Sequence, residues 1–108
     1  MKRAVMVALA TTVAAAPAYA VLDNAAAEAL MKKDNCATCH AIDKKLIGPA
    51  YQDVAAKYKG DKTAQAKLEK KVKAGGSGVW GTIPMPPNST TSDADIHELV
   101  TWILTLKK

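Results

Sequence analysis

Five consecutive residues, Cys36-Ala37-Thr38-Cys39-His40, constrain the fold of this chain more than any other part of it. The pattern Cys-x-x-Cys-His is the signature of covalent c-type haem attachment. The order matters, because the two-residue gap sets the separation of two thiols that add to the haem vinyl groups. The histidine that follows can then bind the iron. The pattern therefore predicts one covalent haem (heme c) held by Cys36 and Cys39, with His40 as an iron ligand.

Two other interpretations of the cysteines stay open at this point. A bare Cys-x-x-Cys can be a thioredoxin-like thiol pair. It can also be half of a zinc site, which needs about four Cys or His ligands. The chain has only two cysteines and two histidines, and the second histidine, His97, lies far along the sequence.

The N-terminus has the pattern of a secretory signal peptide. Lys2 and Arg3 are followed by an alanine-rich apolar stretch, residues 4–16, and by Ala18-Tyr19-Ala20, an Ala-x-Ala cleavage site. The apolar stretch is shorter than the roughly 20 residues of a membrane-spanning helix. We therefore expect a signal peptide over residues 1–20, a single mature domain over residues 21–108, and export to the periplasm.

A domain this short builds only a marginal core from its own side chains. It contains no Phe, and a disulfide across a two-residue gap would close too small a loop to stabilise it much. A large flat apolar cofactor would supply the missing core. The composition and the Cys-x-x-Cys-His pattern therefore both indicate a bound haem.

The charge of the chain gives a weaker indication. The net charge is +5, and removal of Lys2 and Arg3 leaves +3. This mild basicity, without a basic stripe or recognition pattern, does not indicate nucleic-acid binding. Six lysines form either a solvated surface or a docking face for a partner: Lys32, Lys33, Lys44, Lys45, Lys57 and Lys59.

Caps and apolar periodicity predict four helices and an all-α fold. The predicted spans are Asp23 or Asn24 to about Lys33, Ala50 to Tyr58, a cap at Asp61 to a stop at Gly75-Gly76, and Ser92 onward. The positions predicted to face inward are Ala26, Leu30 and Met31 in the first helix, Ala64, Leu68 and Val72 in the third, and Ile96, Leu99, Val100, Ile103 and Leu106 in the last. No segment shows a convincing strand alternation.

The long segment from Gly75 to Thr91 is predicted to wrap over one face of the haem. Loops longer than about 12–15 residues in compact domains are usually functional or disordered, and this one carries apolar residues that a disordered linker would avoid. Its Met85 lies among prolines that stiffen the backbone, so we predict Met85 as the second iron ligand. Met31 is expected to be a packing residue, and the rival ligand His97 is expected on a helix flank near solvent.

The surroundings of the haem can also be predicted. A ligating histidine donates its other ring N–H to a carbonyl or carboxylate, and Gly48-Pro49 is a plausible source of the carbonyl. The indole N–H of Trp80 would serve a haem propionate, unless the ring packs in the core. Lys71 would pair with the same carboxylate, unless it is solvated. Asn88 would donate to the Met85 sulfur or to the loop backbone.

Taken in order along the chain, these segments resemble the small bacterial class I cytochromes c of the c-551/c-552 type. The segments are Cys36 to Asp43, Gly48-Pro49-Ala50-Tyr51, Gly78-Val79-Trp80-Gly81 and Ile83-Pro84-Met85-Pro86-Pro87-Asn88. The resemblance covers nearly all of the mature chain. It implies an all-α class I cytochrome c fold with crossing N- and C-terminal helices.

The resemblance also implies roles for single residues. These are thioether links at Cys36 and Cys39, axial ligands His40 and Met85, a hydrogen bond from His40 to the Pro49 carbonyl, propionate contacts from Trp80 and Lys71, and a distal-loop role for Asn88. Lys71 stands where an arginine is common, so a forked contact would become a point-charge contact. Thr82 stands where a proline is frequent, and an aromatic often found near the Met31 position is missing.

A haem with His and Met ligands has no vacant site, so it passes electrons and performs no substrate chemistry. We therefore expect a soluble, monomeric electron carrier rather than an enzyme. It would take electrons from a membrane respiratory complex and pass them to a nitrite reductase, an oxidase or a peroxidase. The alternative is a haem enzyme or a gas or peroxide sensor, which requires that Met85 be absent from the iron.

Overall fold

The computed structural model describes residues 3–12 and 21–108. The predicted cleavage site Ala18-Tyr19-Ala20 lies outside the described residues, as does Lys2, so the signal-peptide prediction stays untested. The described residues 3–12 form no helix or strand. Within the two described ranges, no helix is both long and apolar enough to cross a membrane.

The domain consists of four α-helices and one short helical turn. They are α1 (Asn24–Lys33), a 3₁₀ turn (Cys36–Thr38), α2 (Tyr51–Lys57), α3 (Ala64–Ala74) and α4 (Asp93–Ile103). The described part of the chain contains no strand, only two isolated bridges that pair His40 with Lys45 and Gly76 with Met85. The predicted all-α class is confirmed.

Two of the helices begin at the predicted caps. The Asp23 side chain accepts a hydrogen bond from the Ala26 amide at the start of α1. The Ser92 hydroxyl accepts one from the Asp95 amide, 3.1 Å away, at the start of α4. A side-chain oxygen at this position satisfies one of the amides that a helix start leaves without a partner.

The predicted cap of α3 is wrong by two residues. Asp61 accepts hydrogen bonds from the amide and hydroxyl of Thr63, at 2.8 and 2.6 Å, so it forms a turn ahead of the helix. Thr63 takes the cap position without a side-chain cap bond, and α3 begins at Ala64. Aspartate competes for nearby backbone amides in turns as well as in caps, so the residue type alone does not decide between them.

Helices α1, α2 and α4 build the main core. Met31 is buried against Leu99 and Trp102, as expected for a packing residue. Ala27, not Ala26, faces this core, so the prediction for Ala26 is wrong. Ala27 and Met31 are four residues apart and share one face of the helix, whereas Ala26 is rotated about 100° from Ala27.

Helices α3 and α4 pack against each other and carry the remaining stripes. Ala64 is buried, while Leu68 and Val72 are half-buried. On α4 the predicted stripe is confirmed, with Leu106 half-buried beyond the end of the helix; its buried members are Ile96, Leu99, Val100 and Ile103. These apolar faces surround one side of a central cavity.

Candidate functional site

A cavity of about 290 Å³ lies between the 3₁₀ turn, the helices and the long loop after α3. Cys36, Cys39, His40 and Met85 all line it, although Met85 is far from the other three in sequence. Its volume is close to the lower end of the roughly 300–1,000 Å³ typical of small-molecule and cofactor sites. The fold therefore brings the predicted attachment and ligand residues to one space.

The 3₁₀ turn presents the two cysteines and the histidine together. The chain leaves α1 through Asn35, whose φ of 61° is left-handed, a conformation that Asn tolerates better than most residues. The amides of Cys39 and His40 then both donate to the Cys36 carbonyl, at 3.1 and 2.9 Å. This tight turn holds both half-buried cysteines and the imidazole at the cavity wall.

The imidazole of His40 is fixed by contacts with two further segments. Its Nδ1 lies 2.8 Å from the Pro49 carbonyl oxygen, and a carbonyl can only accept, so Nδ1 carries the proton. The ring also stacks on Tyr51, with centroids 4.9 Å apart and planes at 18°. Nε2 is thereby left as the unprotonated nitrogen, which is the form that binds a metal.

Gly48 lies against the face of the same imidazole. A Cβ atom built on Gly48 would be 2.5 Å from Cε1 of His40 and 2.9 Å from each ring nitrogen. Gly48 therefore leaves the space that the ring occupies. Sequence reasoning named Gly48 only as a neighbour of Pro49 and missed both this contact and the stacking of Tyr51.

Met85 is held by the end of α3. Gly76 and Met85 exchange backbone hydrogen bonds of 3.0 and 2.8 Å. Farther along the loop, the amide and the side-chain Nδ2 of Asn88 both donate to the Val72 carbonyl, each at 3.1 Å. Asn88 Nδ2 also donates to the Pro86 carbonyl at 3.5 Å, so one of the two predicted contacts, the bond to loop backbone, is present. The shorter bonds to α3 were not predicted.

Trp80 and Lys71 also line the cavity. The Lys57 ammonium lies 5.6 Å from the centroid of the Trp80 ring. Lys71 is half-buried, with its Nζ beside Gly76. Both residues are thus part of the cavity wall.

His97 is not among the residues that line the cavity and lies on the flank of α4 next to α3. Its Nδ1 is 2.9 Å from Oε1 of Glu69, and its side chain is 61% exposed. The prediction that His97 sits on a flank near solvent is confirmed. Met31, buried in the α1–α4 core, is not among the residues that line the cavity.

The alternative chemistries of the cysteines gain no support from their surroundings. Burial raises the pKa of the Cys36 thiol, whereas an attacking redox cysteine needs a lowered pKa and its thiolate form. Burial likewise raises the pKa of the neighbouring Tyr51 hydroxyl. Across residues 3–12 and 21–108, no group of three or more His, Cys, Asp or Glu residues could hold a metal ion, so a zinc site is not supported.

The residues of the cavity fit a covalently bound haem. Two thiols, an imidazole with its Nδ1 already engaged and a thioether sulfur line one largely apolar space. The Gly48 surface leaves room for the imidazole itself. A haem iron held there supplies a one-electron redox couple, whose potential depends on ligands, burial and hydrogen bonds.

Comparison with known proteins agrees with this site. The Cytochrome c family model matches residues 24–107. Cytochrome c-551 of Allochromatium vinosum is 56% identical over 71% of this chain and 82% of its own length. Cytochrome c-552 of Nitrosomonas europaea is 53% identical over 86% of this chain and 91% of its own length.

Solved structures give the same result. The crystal structure of Nitrosomonas europaea cytochrome c552 superposes with a TM-score of 0.72 at 54% identity, covering 74% of this chain and 99% of that one. The class 1 cytochrome MtoD of Sideroxydans lithotrophicus superposes with a TM-score of 0.63 at 37% identity, covering 77% of this chain and 95% of that one. The chain therefore belongs to the cytochrome c family of small class I type, carries one covalently attached haem c, and is an electron-transfer protein rather than an enzyme.

Proposed function

We propose that this cytochrome is a soluble, periplasmic one-electron carrier whose haem iron is ligated by His40 and Met85. The observation that carries the proposal is that both side chains line one cavity, with the His40 ring oriented by the Pro49 carbonyl so that Nε2 is available. Cys36 and Cys39 lie beside His40 on the same wall and would form the thioether links.

The ligand pair decides what the site can do. With an imidazole and a thioether in place, the iron has no vacant position for oxygen, peroxide or a gas. A soft thioether favours ferrous iron and raises the reduction potential relative to two imidazoles. Such a centre takes up and releases electrons and leaves the partner to carry out the chemistry.

Four other residues would hold the haem without touching the iron. The Pro49 carbonyl orients His40. Asn88 bonds the segment from Gly75 to Thr91, which carries Met85, to α3. Trp80 and Lys71 line the cavity and would meet the propionates, Trp80 through its indole N–H and Lys71 through its point charge. A lysine holds a carboxylate less directionally than an arginine, so this contact should tolerate movement of the propionate.

The N-terminal pattern supports export, with residues 1–20 as a cleaved signal peptide and residues 21–108 as the mature domain. In the periplasm the donor would be a membrane respiratory complex. The acceptor would be a nitrite reductase, a cytochrome oxidase or a cytochrome c peroxidase. Such partners meet through small, weak interfaces that charge guides and salt weakens.

The ligand assignment is tested by replacing Met85 with Ala. The wild-type ferric protein should show the weak near-infrared absorbance of a thioether–iron bond. Met85→Ala should lose this band, bind carbon monoxide readily in the ferrous form, and have a lower reduction potential because the soft ligand is gone.

Met31→Ala is the matched control, since it removes the same side chain from the core. It should cost about 2–5 kcal/mol of stability and keep the near-infrared band and the potential. An unchanged potential in Met85→Ala would mean that another group ligates the iron. Ready binding of carbon monoxide by the wild type, without the band, would favour an enzyme or sensor instead.

The compartment and the partners need separate measurements. The intact mass of the protein from a periplasmic extract should equal residues 21–108 plus one haem. Electron-transfer rates with a native partner should change with ionic strength if the lysines guide docking. A full-length mass from the cytoplasmic fraction would refute export, and a salt-independent rate would remove the docking role of the lysines.

A further inference from the structure

Gly75, the first residue of the long segment that carries Met85, has a backbone conformation that residues other than glycine avoid. It follows the end of α3 with φ 72° and ψ −169°, a region that is essentially restricted to glycine. Its amide donates to the Lys71 carbonyl at 2.7 Å. The chain thereby turns sharply from α3 into the loop at a position that a side chain would strain.

The α-carbon of Gly75 also faces the backbone that runs from the Met85 carbonyl to the Pro86–Pro87 peptide bond. A Cβ atom at Gly75 would be 2.5 Å from the Met85 carbonyl oxygen, 2.8 Å from the Pro87 nitrogen and 2.9 Å from the Pro86 carbonyl carbon. All three are backbone atoms, which cannot rotate away as a side-chain tip can. The Pro86 and Pro87 rings fix φ on that side, so the segment would have to move as a unit.

The neighbouring contacts leave that segment little freedom. Gly76 and Met85 exchange two backbone hydrogen bonds, and Asn88 is bonded twice to the Val72 carbonyl. Met85 is therefore clamped to the end of α3 just before and just after the point where Gly75 lies against it. If a side chain at Gly75 displaced this segment, the Met85 α-carbon would move with it.

The other glycines of positive φ do not share this arrangement. Around Gly60, Gly78 and Gly81, no described atom outside the local backbone lies within 4 Å of a built Cβ atom. At Gly76, the close atom is the Nζ of Lys71, the mobile end of a long side chain. Gly75 is thus the one among these five whose missing side chain leaves room for the backbone of the Met85 segment.

We propose that Gly75 is a positioning residue for Met85 as the second iron ligand. Because Gly75 has no Cβ atom, the Met85 backbone packs directly against the end of α3, and this contact sets how far the Met85 thioether reaches into the cavity. The inference rests on the proposed ligation by Met85. It adds that the strength of the sulfur–iron bond is set at a residue ten positions before the ligand.

The test is a Gly75→Ala variant of the haem-loaded protein. Its near-infrared band should lose intensity, its reduction potential should fall, and its ferrous form should bind carbon monoxide more readily than the wild type. Gly60→Ala is the control, because it places a Cβ at a positive φ (78°) where it meets no described atom within 4 Å, at a residue that does not line the cavity. This control should lose stability but keep the band and the potential.

Equal loss of the band in Gly75→Ala and Gly60→Ala would overturn the inference, because backbone strain at a positive φ would then explain both. An unchanged band in Gly75→Ala would also overturn it while leaving Met85 as the ligand. Absence of the band from the wild type would refute the ligation itself and, with it, this inference.

A measurement on the wild type decides the matter if Gly75→Ala does not fold. Denaturant should remove the near-infrared band in the same step in which the Gly76 and Met85 amides lose protection from hydrogen exchange. Loss of the band while these two amides stay protected would show that the backbone contact with α3 does not set the position of the Met85 sulfur. This result would overturn the inference.

Discussion

At the level of single residues, two glycines leave room for the predicted iron ligands, because a glycine has no Cβ atom. Gly48 leaves the space in which the His40 ring lies, and Gly75 leaves the space in which the Met85 backbone lies. The first contact involves a side chain that is also held by Pro49 and Tyr51. A methyl group at either position would act on the ligand and not only on the fold.

A Gly48→Ala substitution should therefore disturb the proximal side. The new Cβ would overlap three atoms of the His40 ring, and overpacking of this kind costs about 1–3 kcal/mol. Denaturant unfolding of the haem-loaded protein should show this loss, and the ferric spectrum should change as the imidazole shifts.

Gly60→Ala provides the comparison, since no described atom lies within 4 Å of its added methyl group. It should lose about 1–2 kcal/mol through its left-handed backbone and keep the wild-type spectrum. A wild-type spectrum in Gly48→Ala as well would show that the ring tolerates the methyl group, contrary to the close contact.

At the scale of elements, the crossing of α1 and α4 is joined by polar contacts at both ends. Trp102 Nε1 donates to Asn24 Oδ1 at 3.1 Å, and Lys33 Nζ donates to Asp95 Oδ2 at 3.1 Å. Asp34, at the C-terminal end of α1, has its Oδ2 buried with no hydrogen-bond partner among the described residues. A carboxylate there also faces the negative end of the helix dipole.

The pKa values of the two carboxyl groups at this crossing, those of Asp34 and Asp95, are shifted in opposite directions. Burial, and then the neighbouring Asp95 carboxyl, raise the pKa of Asp34. The hydrogen bond from Lys33 is the main cause that lowers the pKa of Asp95. Ionised Asp34 therefore opposes folding as pH rises through its raised pKa, whereas Asp95 adds stability that is lost as pH falls through its lowered pKa.

An Asp34→Asn variant should be more stable than the wild type at pH 7, because it removes the ionised, partly buried carboxylate. The advantage should shrink as pH falls towards about 4, the ordinary pKa of an aspartate, because the wild-type carboxyl group is then protonated. Melting temperatures from circular dichroism between pH 4 and 7 test this, with Asp43→Asn, on the exposed segment after His40, as the control for net charge. A constant difference across this range would contradict the assignment to Asp34.

At the scale of the whole molecule, the helices enclose a space that their own side chains do not fill. Apolar side chains of α2, α3 and α4 line this space, and leaving them in contact with water would forfeit apolar burial that a small domain needs for its stability. The haem is therefore part of the core and not an addition to a finished fold.

The chain without haem should accordingly be largely unfolded. A Cys36→Ala/Cys39→Ala double variant, purified without haem, should show weak helical dichroism and no cooperative melting. The haem-loaded wild type should melt cooperatively under the same conditions. Strong helical signal with a cooperative transition in the double variant would show that the helices pack without the cofactor.

Local patterns were enough to predict most of the secondary structure. The caps at Asp23 and Ser92 and the stripe on α4 depend on residues within one or two turns of each other, so periodicity and side-chain type could identify them. The start of α3 was misplaced because Asp61 serves a turn as readily as a cap. Ala26 was misplaced by one residue, because only contact with α4 decides which of several adjacent alanines is buried.

The sequence by itself determined the chemistry of the site, because two thiols and a histidine at this spacing suit one cofactor and the prolines around Met85 mark a stiff segment. Only the tertiary structure decided that Gly48 lies on the His40 ring, that Asn88 bonds to α3, and that Gly75 supports the Met85 backbone. These contacts join residues that lie between 8 and 16 positions apart in the chain, so no local pattern encodes them. They follow from the way the helices pack around the space that the haem fills.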